Sequence, residues 1–141
     1  MTARLLTAGA DPNARTRSGQ SVLADAVERG DEELAGLLLA HGADVNRRRG
    51  PGAPLLALAV SRNDTDLANR LLRAGAVPHA QLPGRGSPLL VEAVAGSNFD
   101  LAAALLQRGA DPNELDAAGV SALEHALHSG ADPRLAPLLL R

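Results

Sequence analysis

Two histidines with helical spacing, His125 and His128, are the residues of this chain best suited to metal chemistry, and Glu124 adjoins them. Side chains three residues apart share one face of a helix, so the pair could bind a metal ion. The usual helical zinc pair, however, is separated by four residues, and a zinc site needs at least a third protein ligand. No third ligand is evident and the chain has no cysteine. The pattern favours structural or surface histidines, and we predict neither a metal nor a cofactor.

Three aspartates, Asp11, Asp44 and Asp111, are candidates for acid–base catalysis, yet they recur within the same short phrase. Catalysis requires side chains with different roles in one pocket, whereas a residue repeated at one position of a periodic chain has the same role each time. We therefore expect these carboxylates to accept backbone hydrogen bonds in turns. Because a phosphate-binding glycine loop, a nucleophile elbow and a Ser/His/Asp arrangement are also absent, the sequence predicts that the chain is not an enzyme.

Basic residues, all of them arginine, cluster in the segments that we predict to be loops. If those loops project side by side, Arg15, Arg17, the arginine run 47–49 and Arg85 form a basic ridge. Two interpretations stay open: a ridge that binds the carboxylates or phosphates of a partner with an acidic surface, or solvated loop tips that merely carry charge. Nucleic acid is not an expected partner, because the net charge is −2 and the only aromatic residue is Phe99.

Length and composition limit the protein class. At 141 residues the chain has the size of one domain, with a core built from small aliphatic side chains. No apolar stretch approaches 18 residues and the first residues lack the apolar run of a signal peptide, so we expect no membrane partner and a cytoplasmic location. The lack of lysine, with abundant alanine, glycine and leucine, suggests a GC-rich bacterial genome.

A turn-prone phrase recurs four times at intervals of 33, 33 and 34 residues: GADPN at 9–13, GADVN at 42–46, GAVPH at 75–79 and GADPN at 109–113. Each phrase follows a leucine-rich helical segment, and another helical segment lies further upstream. Between the two helices stand Gly30, Asn63, Ser97 and Gly130, residue types suited to a left-handed turn. One unit is too short to bury its own apolar stripes, so the units must stack.

The period, the G-A-D-[VP]-N phrase after a Leu-Leu helix, and G-x-[ST]-x-L before an alanine-rich helix resemble ankyrin repeats. The resemblance implies an all-α fold, a solenoid of stacked antiparallel helix pairs with projecting β-hairpin-like loops. We expect a single domain spanning 1–141, with a partial repeat at 1–8 and repeats at 9–41, 42–74, 75–108 and 109–141.

The sequence departs from the family pattern at the start of each first helix, where the usual T-P-L-H is not present. Ser21 and Ser121 are expected to cap their helices, and Pro54 and Pro88 to lie in the first helical turn. The third unit has lost both Asp and Asn from its phrase. The apolar ends leave two alternatives open: a monomer with frayed ends, or ends that are covered by weak self-association or by a partner.

The resemblance implies a protein–protein interaction module, whose first helices and loops line a concave groove that binds a partner protein. The alternative is a dedicated inhibitor, an immunity-type protein or a regulatory protein that blocks one specific enzyme. Transfer of the family's variable contact positions selects the following protein-binding candidates: Arg15, Arg17, Ser18, Gln20, Asp25, Arg48, Ala53, Leu58, Arg85, Ser87, Glu92, Leu115, Ala117, Val120 and His125.

Overall fold

The computed structural model describes residues 8–46, 54–81, 84–128 and 130–141. Within these ranges the chain forms helices and isolated β-bridges, and no strand. The eight helices are α1 Val22–Arg29, α2 Glu32–Ala40, α3 Leu55–Ser61, α4 Thr65–Arg73, α5 Leu89–Ala95, α6 Phe99–Gln107, α7 Ala122–Leu127 and α8 Leu135–Leu139.

The helices form four antiparallel pairs that stack in chain order. Helix α1 packs against α2, α3 against α4, α5 against α6 and α7 against α8. Between pairs, the second helices α2, α4, α6 and α8 contact one another in a row, and α3, α5 and α7 form a parallel row of first helices. All substantial helix contacts in the described chain therefore lie within one pair or between adjacent pairs, which confirms the predicted all-α solenoid.

The core is a continuous layer of small aliphatic side chains that runs through the four pairs. Leu56 and Leu90 on the first helices are 1% exposed, and Leu71 and Leu105 on the second helices are fully buried. Burial of one leucine stabilises the fold by about 1.5–3 kcal/mol relative to its exposed state. Because each leucine is buried partly by the adjacent pair, this stabilisation depends on stacking.

The turn between the helices of each pair contains a left-handed residue, as predicted. The φ angle is 73° at Gly30, 57° at Asn63, 54° at Ser97 and 96° at Gly130. Glycine adopts this conformation without steric penalty, and asparagine tolerates it better than most residues. The left-handed residue reverses the chain so that the second helix lies against the first.

The predicted serine caps are confirmed. Ser21 Oγ accepts a hydrogen bond from the Ala24 N–H at 3.1 Å, and Ser121 Oγ accepts one from the Glu124 N–H at 3.2 Å. Each bond satisfies one of the backbone donors that a helix leaves free in its first turn.

The placement of the prolines in the first helical turn was wrong by one residue. Pro54 and Pro88 occupy the N-cap positions of α3 and α5, with ψ angles of 144° and 146°. Their carbonyls accept the first helical hydrogen bonds, from the N–H groups of Leu58 and Glu92. A φ near −60° suits both the N-cap and the first turn, so the proline ring alone does not distinguish them.

The recurring turns are held by side-chain hydrogen bonds within and between units. Each aspartate accepts the N–H of the asparagine two residues later at 2.8–2.9 Å, as predicted: Asp11 from Asn13, Asp44 from Asn46 and Asp111 from Asn113. The asparagines then form a ladder, which we call the asparagine ladder: Asn13 Oδ1 accepts the Asp44 N–H at 2.7 Å, and Asn46 Oδ1 accepts the Val77 N–H at 3.1 Å. The third position of the asparagine ladder is occupied by His79 instead of asparagine, and the ladder ends there.

Candidate protein-binding surface

Hairpin-like loops, which we call fingers, join the helix pairs. Within the described ranges, three fingers are closed by one antiparallel bridge each: Arg15 with Ser21, Gln81 with Pro88, and Leu115 with Ser121. In the last finger the Asp116 N–H donates to the Val120 carbonyl at 3.0 Å. The fingers are therefore hydrogen-bonded turns that present side chains in defined positions.

The side chain of Asp116 organises the last finger. Its Oδ1 accepts the N–H groups of Ala118 and Val120, both at 2.9 Å, and its Oδ2 lies 2.9 Å from Nε2 of His125 on helix α7. The hydrogen bond from His125, followed by that from Val120, lowers the pKa of the Asp116 carboxyl below its ordinary value. Finger and helix are thus tied together by one carboxylate.

Among the candidate binding residues, the four that lie around Asp116 form the most evident apolar surface. Leu115 is 54% exposed, Ala117 is exposed, and Val120 and His125 are half-buried. An exposed leucine on a rigid turn can insert into a pocket of another protein with little loss of conformational entropy. The last finger and helix α7 thus bring together the four candidate residues of the last unit.

The first finger presents fewer free side chains than its sequence suggests. Arg15 Nη1 donates to the Gly19 carbonyl of the same finger at 2.7 Å. Ser18 Oγ lies 2.8 Å from Thr16 Oγ1. Arg15 and Arg17 are both exposed, and among the described residues no side-chain hydrogen bond holds Arg17.

Two candidates, Gln20 and Ser87, are buried, with 4% and 5% exposure. Each directly precedes the N-cap residue of the next helix, which is Ser21 after Gln20 and Pro88 after Ser87. Their side chains are therefore not available to a partner in this conformation, and neither forms part of the exposed surface.

Three further candidate residues, Asp25, Arg85 and Glu92, form ion pairs. Arg29 Nε lies 3.0 Å from Asp25 Oδ2 on α1, and Arg85 Nη1 lies 3.6 Å from Glu92 Oε2 on α5. Such exposed pairs contribute little stability, about 0–1 kcal/mol. The Arg85 pair nevertheless reduces the positive charge that this finger contributes to the predicted basic ridge.

The candidates of the second unit are only partly defined by the structure. Arg48 and Ala53, together with the rest of the arginine run, lie outside the described residues. Leu58 on α3 is half-buried and packs against the core. Of the six arginines in the predicted ridge, the structure thus describes three: Arg15, Arg17 and Arg85.

The two helical histidines contact polar groups of their own unit. His125 pairs with Asp116, and His128 Nδ1 lies 2.6 Å from the Glu124 carbonyl oxygen. Their rings are 6.3 Å apart between centroids and tilted by 40°. Across the described part of the chain no three His, Cys, Asp or Glu side chains are grouped for metal binding.

Phe99 is the first residue of helix α6 in the third unit, and it contacts the next unit. The Arg134 guanidinium carbon lies 4.4 Å from the centre of the Phe99 ring, and Asp132 holds that guanidinium through Nη2 at 2.7 Å. Because the ring is half-buried and covered by Arg134, the geometry supports a packing role.

Sequence reasoning missed the role of Asp116 and the caps of the second helices. An aspartate three residues before a glycine in a predicted turn is a usable signal, because Asp side chains accept the N–H groups that follow them. The missed caps are Asp31, Asp64 and Asn98, each of which accepts the N–H three residues later at 3.0 Å.

Comparison with protein-family models gives two matches. A model described as ankyrin repeat matches residues 18–49, and one described as ankyrin repeats (many copies) matches residues 90–140. The search of curated proteins found no match. Among the helices that the structure describes, none has the length and apolarity needed to span a bilayer.

Proposed function

The chain belongs to the ankyrin repeat family, whose repeats are generally non-catalytic protein–protein interaction modules, and from this premise we propose that it binds a partner protein through its first helices and fingers. The partner lies in the concave groove that the family resemblance implies. The observation that carries the proposal is the exposed Leu115, held on a finger that Asp116 makes rigid.

The last finger and α7 form the anchor of this surface. Leu115 and Ala117 supply apolar contact area, while Val120 and His125 form its half-buried floor. A small number of buried apolar side chains usually carries most of the affinity of a protein interface. We infer that Leu115 inserts into a pocket of the partner.

Charge contributes selectivity toward a partner with an acidic surface. Arg17 is exposed, and Arg15 presents the remaining N–H groups of a guanidinium that is already held by Gly19. Guanidinium groups bind carboxylates through two parallel hydrogen bonds, and such contacts weaken as salt is added.

The test is affinity capture from the native organism, followed by measurement of Kd for the purified partner with matched variants. We expect Leu115→Ala to weaken binding at least about tenfold, because one buried anchor contributes 2 kcal/mol or more. Arg17→Gln should weaken binding several-fold at low salt and reduce its salt dependence. Arg108→Gln removes the same charge at the end of the second helix α6, outside the surface, and should leave Kd unchanged.

Unchanged affinity of the Leu115→Ala and Arg17→Gln variants would overturn the proposed surface. Affinity that falls equally in Arg108→Gln would show a diffuse charge effect and would also contradict it.

A further inference from the structure

An open pocket of about 460 Å³ lies between the second helices α2 and α4, and none of its residues belongs to the proposed protein-binding surface. Its lining residues are Gly36 and Leu39 of α2, Arg70 and Arg73 of α4, and Ala74 at the end of α4. Its volume is in the range of small-molecule sites, and it combines two guanidinium groups with aliphatic walls. This composition fits an anion that carries an apolar body.

The two guanidinium charges have no carboxylate partner in the part of the chain that the structure describes. Arg70 Nη1 donates one long hydrogen bond, 3.4 Å, to the backbone carbonyl of Glu32. Asp66 lies one helical turn before Arg70 but forms no ion pair with it. Arg70 and Arg73 are three residues apart, on one face of α4, and both are exposed. Two neighbouring positive charges that form no ion pair favour the binding of an anion.

The flanking repeats show which residues the fold accepts at the two arginine positions. The positions that correspond to Arg70 and Arg73 in the flanking second helices are uncharged: Leu37 and Ala40 in α2, and Ala104 and Gln107 in α6. Since those helices stack in the same way, the fold does not need arginine at either position.

Gly36 supports a specific role for Arg70. It lies inside α2 with ordinary helical geometry, where glycine destabilises the helix relative to alanine. A Cβ atom at this position would lie 3.2 Å from Arg70 Nη1, a tight contact that requires the guanidinium to shift by a few tenths of an ångström. The glycine thus gives the guanidinium room to lie across α2 at the mouth of the pocket.

We propose that this pocket is a binding site for a small oxyanion with an aliphatic body, either an aliphatic carboxylate or an alkyl phosphate. Arg70 and Arg73 bind the oxyanion, and Leu39 and Ala74 contact the aliphatic part. The site goes beyond the proposed protein-binding function and shares no residue with it, so the two proposals can fail independently.

The test is an NMR titration of the ¹⁵N-labelled chain with butyrate, butyl phosphate and the neutral analogue butyramide. We expect saturable shifts at the amides of the five lining residues with at least one of the two anions and none with butyramide. The anion that binds more tightly identifies the head group.

Arg70→Leu and Arg73→Gln place in the pocket the residues that α2 and α6 carry at those positions. Each should weaken anion binding about tenfold or more, because a charge-assisted hydrogen bond is lost. Arg108→Gln removes one positive charge elsewhere and should leave the affinity unchanged. Circular dichroism verifies that each variant is folded, and Arg73→Gln serves alone if Arg70→Leu does not fold.

Gly36→Ala separates binding from stability. The added methyl group should raise the melting temperature while it weakens anion binding, because the Arg70 guanidinium must shift by a few tenths of an ångström to make room for it. If the arginines serve only to offset the negative C-terminal end of α4, neither anion saturates the pocket and the proposal is overturned. Equal shifts with butyramide, or equal weakening by Arg108→Gln, would overturn it as well.

Discussion

His125 Nε2 lies 2.9 Å from Asp116 Oδ2, so that one side-chain contact joins the last finger to helix α7. The pKa of Asp116 is lowered from 3.8, chiefly by this hydrogen bond and then by the N–H groups of Val120 and Ala118. A carboxyl whose pKa is lower in the folded than in the unfolded state stabilises the fold above its unfolded pKa. That stabilisation is lost as the pH falls through the folded pKa.

The first prediction therefore concerns acid pH. Asp116→Asn should lower the melting temperature at pH 6, and the difference from the unmodified protein should shrink as the pH falls below about 4. Thermal unfolding followed by circular dichroism between pH 2 and 7 measures this. In a carboxyl ¹³C titration, His125→Asn should raise the pKa of Asp116 toward 3.8. A difference that does not vary with pH, or a carboxyl pKa unaffected by His125→Asn, would contradict this account.

The second prediction restores the asparagine ladder. Asn46 Oδ1 accepts the Val77 N–H at 3.1 Å, whereas the next rung is His79, opposite Asp111. His79→Asn should create the missing hydrogen bond to the Asp111 N–H and raise the free energy of unfolding by about 0.5–1.5 kcal/mol. Urea denaturation measures the change. His79→Ala is the control, and a gain in that variant equal to the gain from asparagine would show that the hydrogen bond is not the cause.

The third prediction compares two caps of second helices. Asp31 accepts one cap hydrogen bond, from the Leu34 N–H, so Asp31→Ala should cost about 1 kcal/mol. Asn98 caps α6 and also donates from Nδ2 to Asn63 Oδ1 and Thr65 Oγ1, both at 2.8 Å. Asn98→Ala should therefore cost more, about 2–3 kcal/mol, because bonds between units are lost as well. Equal losses in denaturant unfolding would mean that the bonds between units contribute nothing.

The fourth prediction concerns the left-handed turns. A Cβ at Gly30 would meet nothing within 4 Å, so Gly30→Ala tests the backbone conformation alone and should cost about 1–2 kcal/mol. Ser97 already adopts φ 54°, so Ser97→Gly should be neutral or stabilise by up to about 1 kcal/mol despite the loss of a long bond to Gly130. Calorimetry of both variants gives the two values. A large loss in Ser97→Gly would show that the hydroxyl, rather than the backbone conformation, decides this position.

The elements of the fold could be read from the sequence because the signals that define them are local and repeated. The turn residues at Gly30, Asn63 and Ser97, the caps at Ser21 and Ser121, and the aspartate turns all depend on a few neighbouring residues. Repetition at a fixed period then predicted stacking, since one helix pair cannot bury its own leucines.

Tertiary structure decided which of the long or polar side chains in the fingers and on the helices are buried, which are paired and which are free. Gln20 and Ser87 are buried under their fingers, and Arg85 pairs with Glu92 at 3.6 Å. Arg70 lies over Gly36 because another unit places a glycine there. An arginine or glutamine side chain reaches several ångströms and has many rotamers, so its partner depends on segments distant in sequence. Local pattern determines the helices and turns of this protein, whereas packing between units decides which side chains remain free to bind.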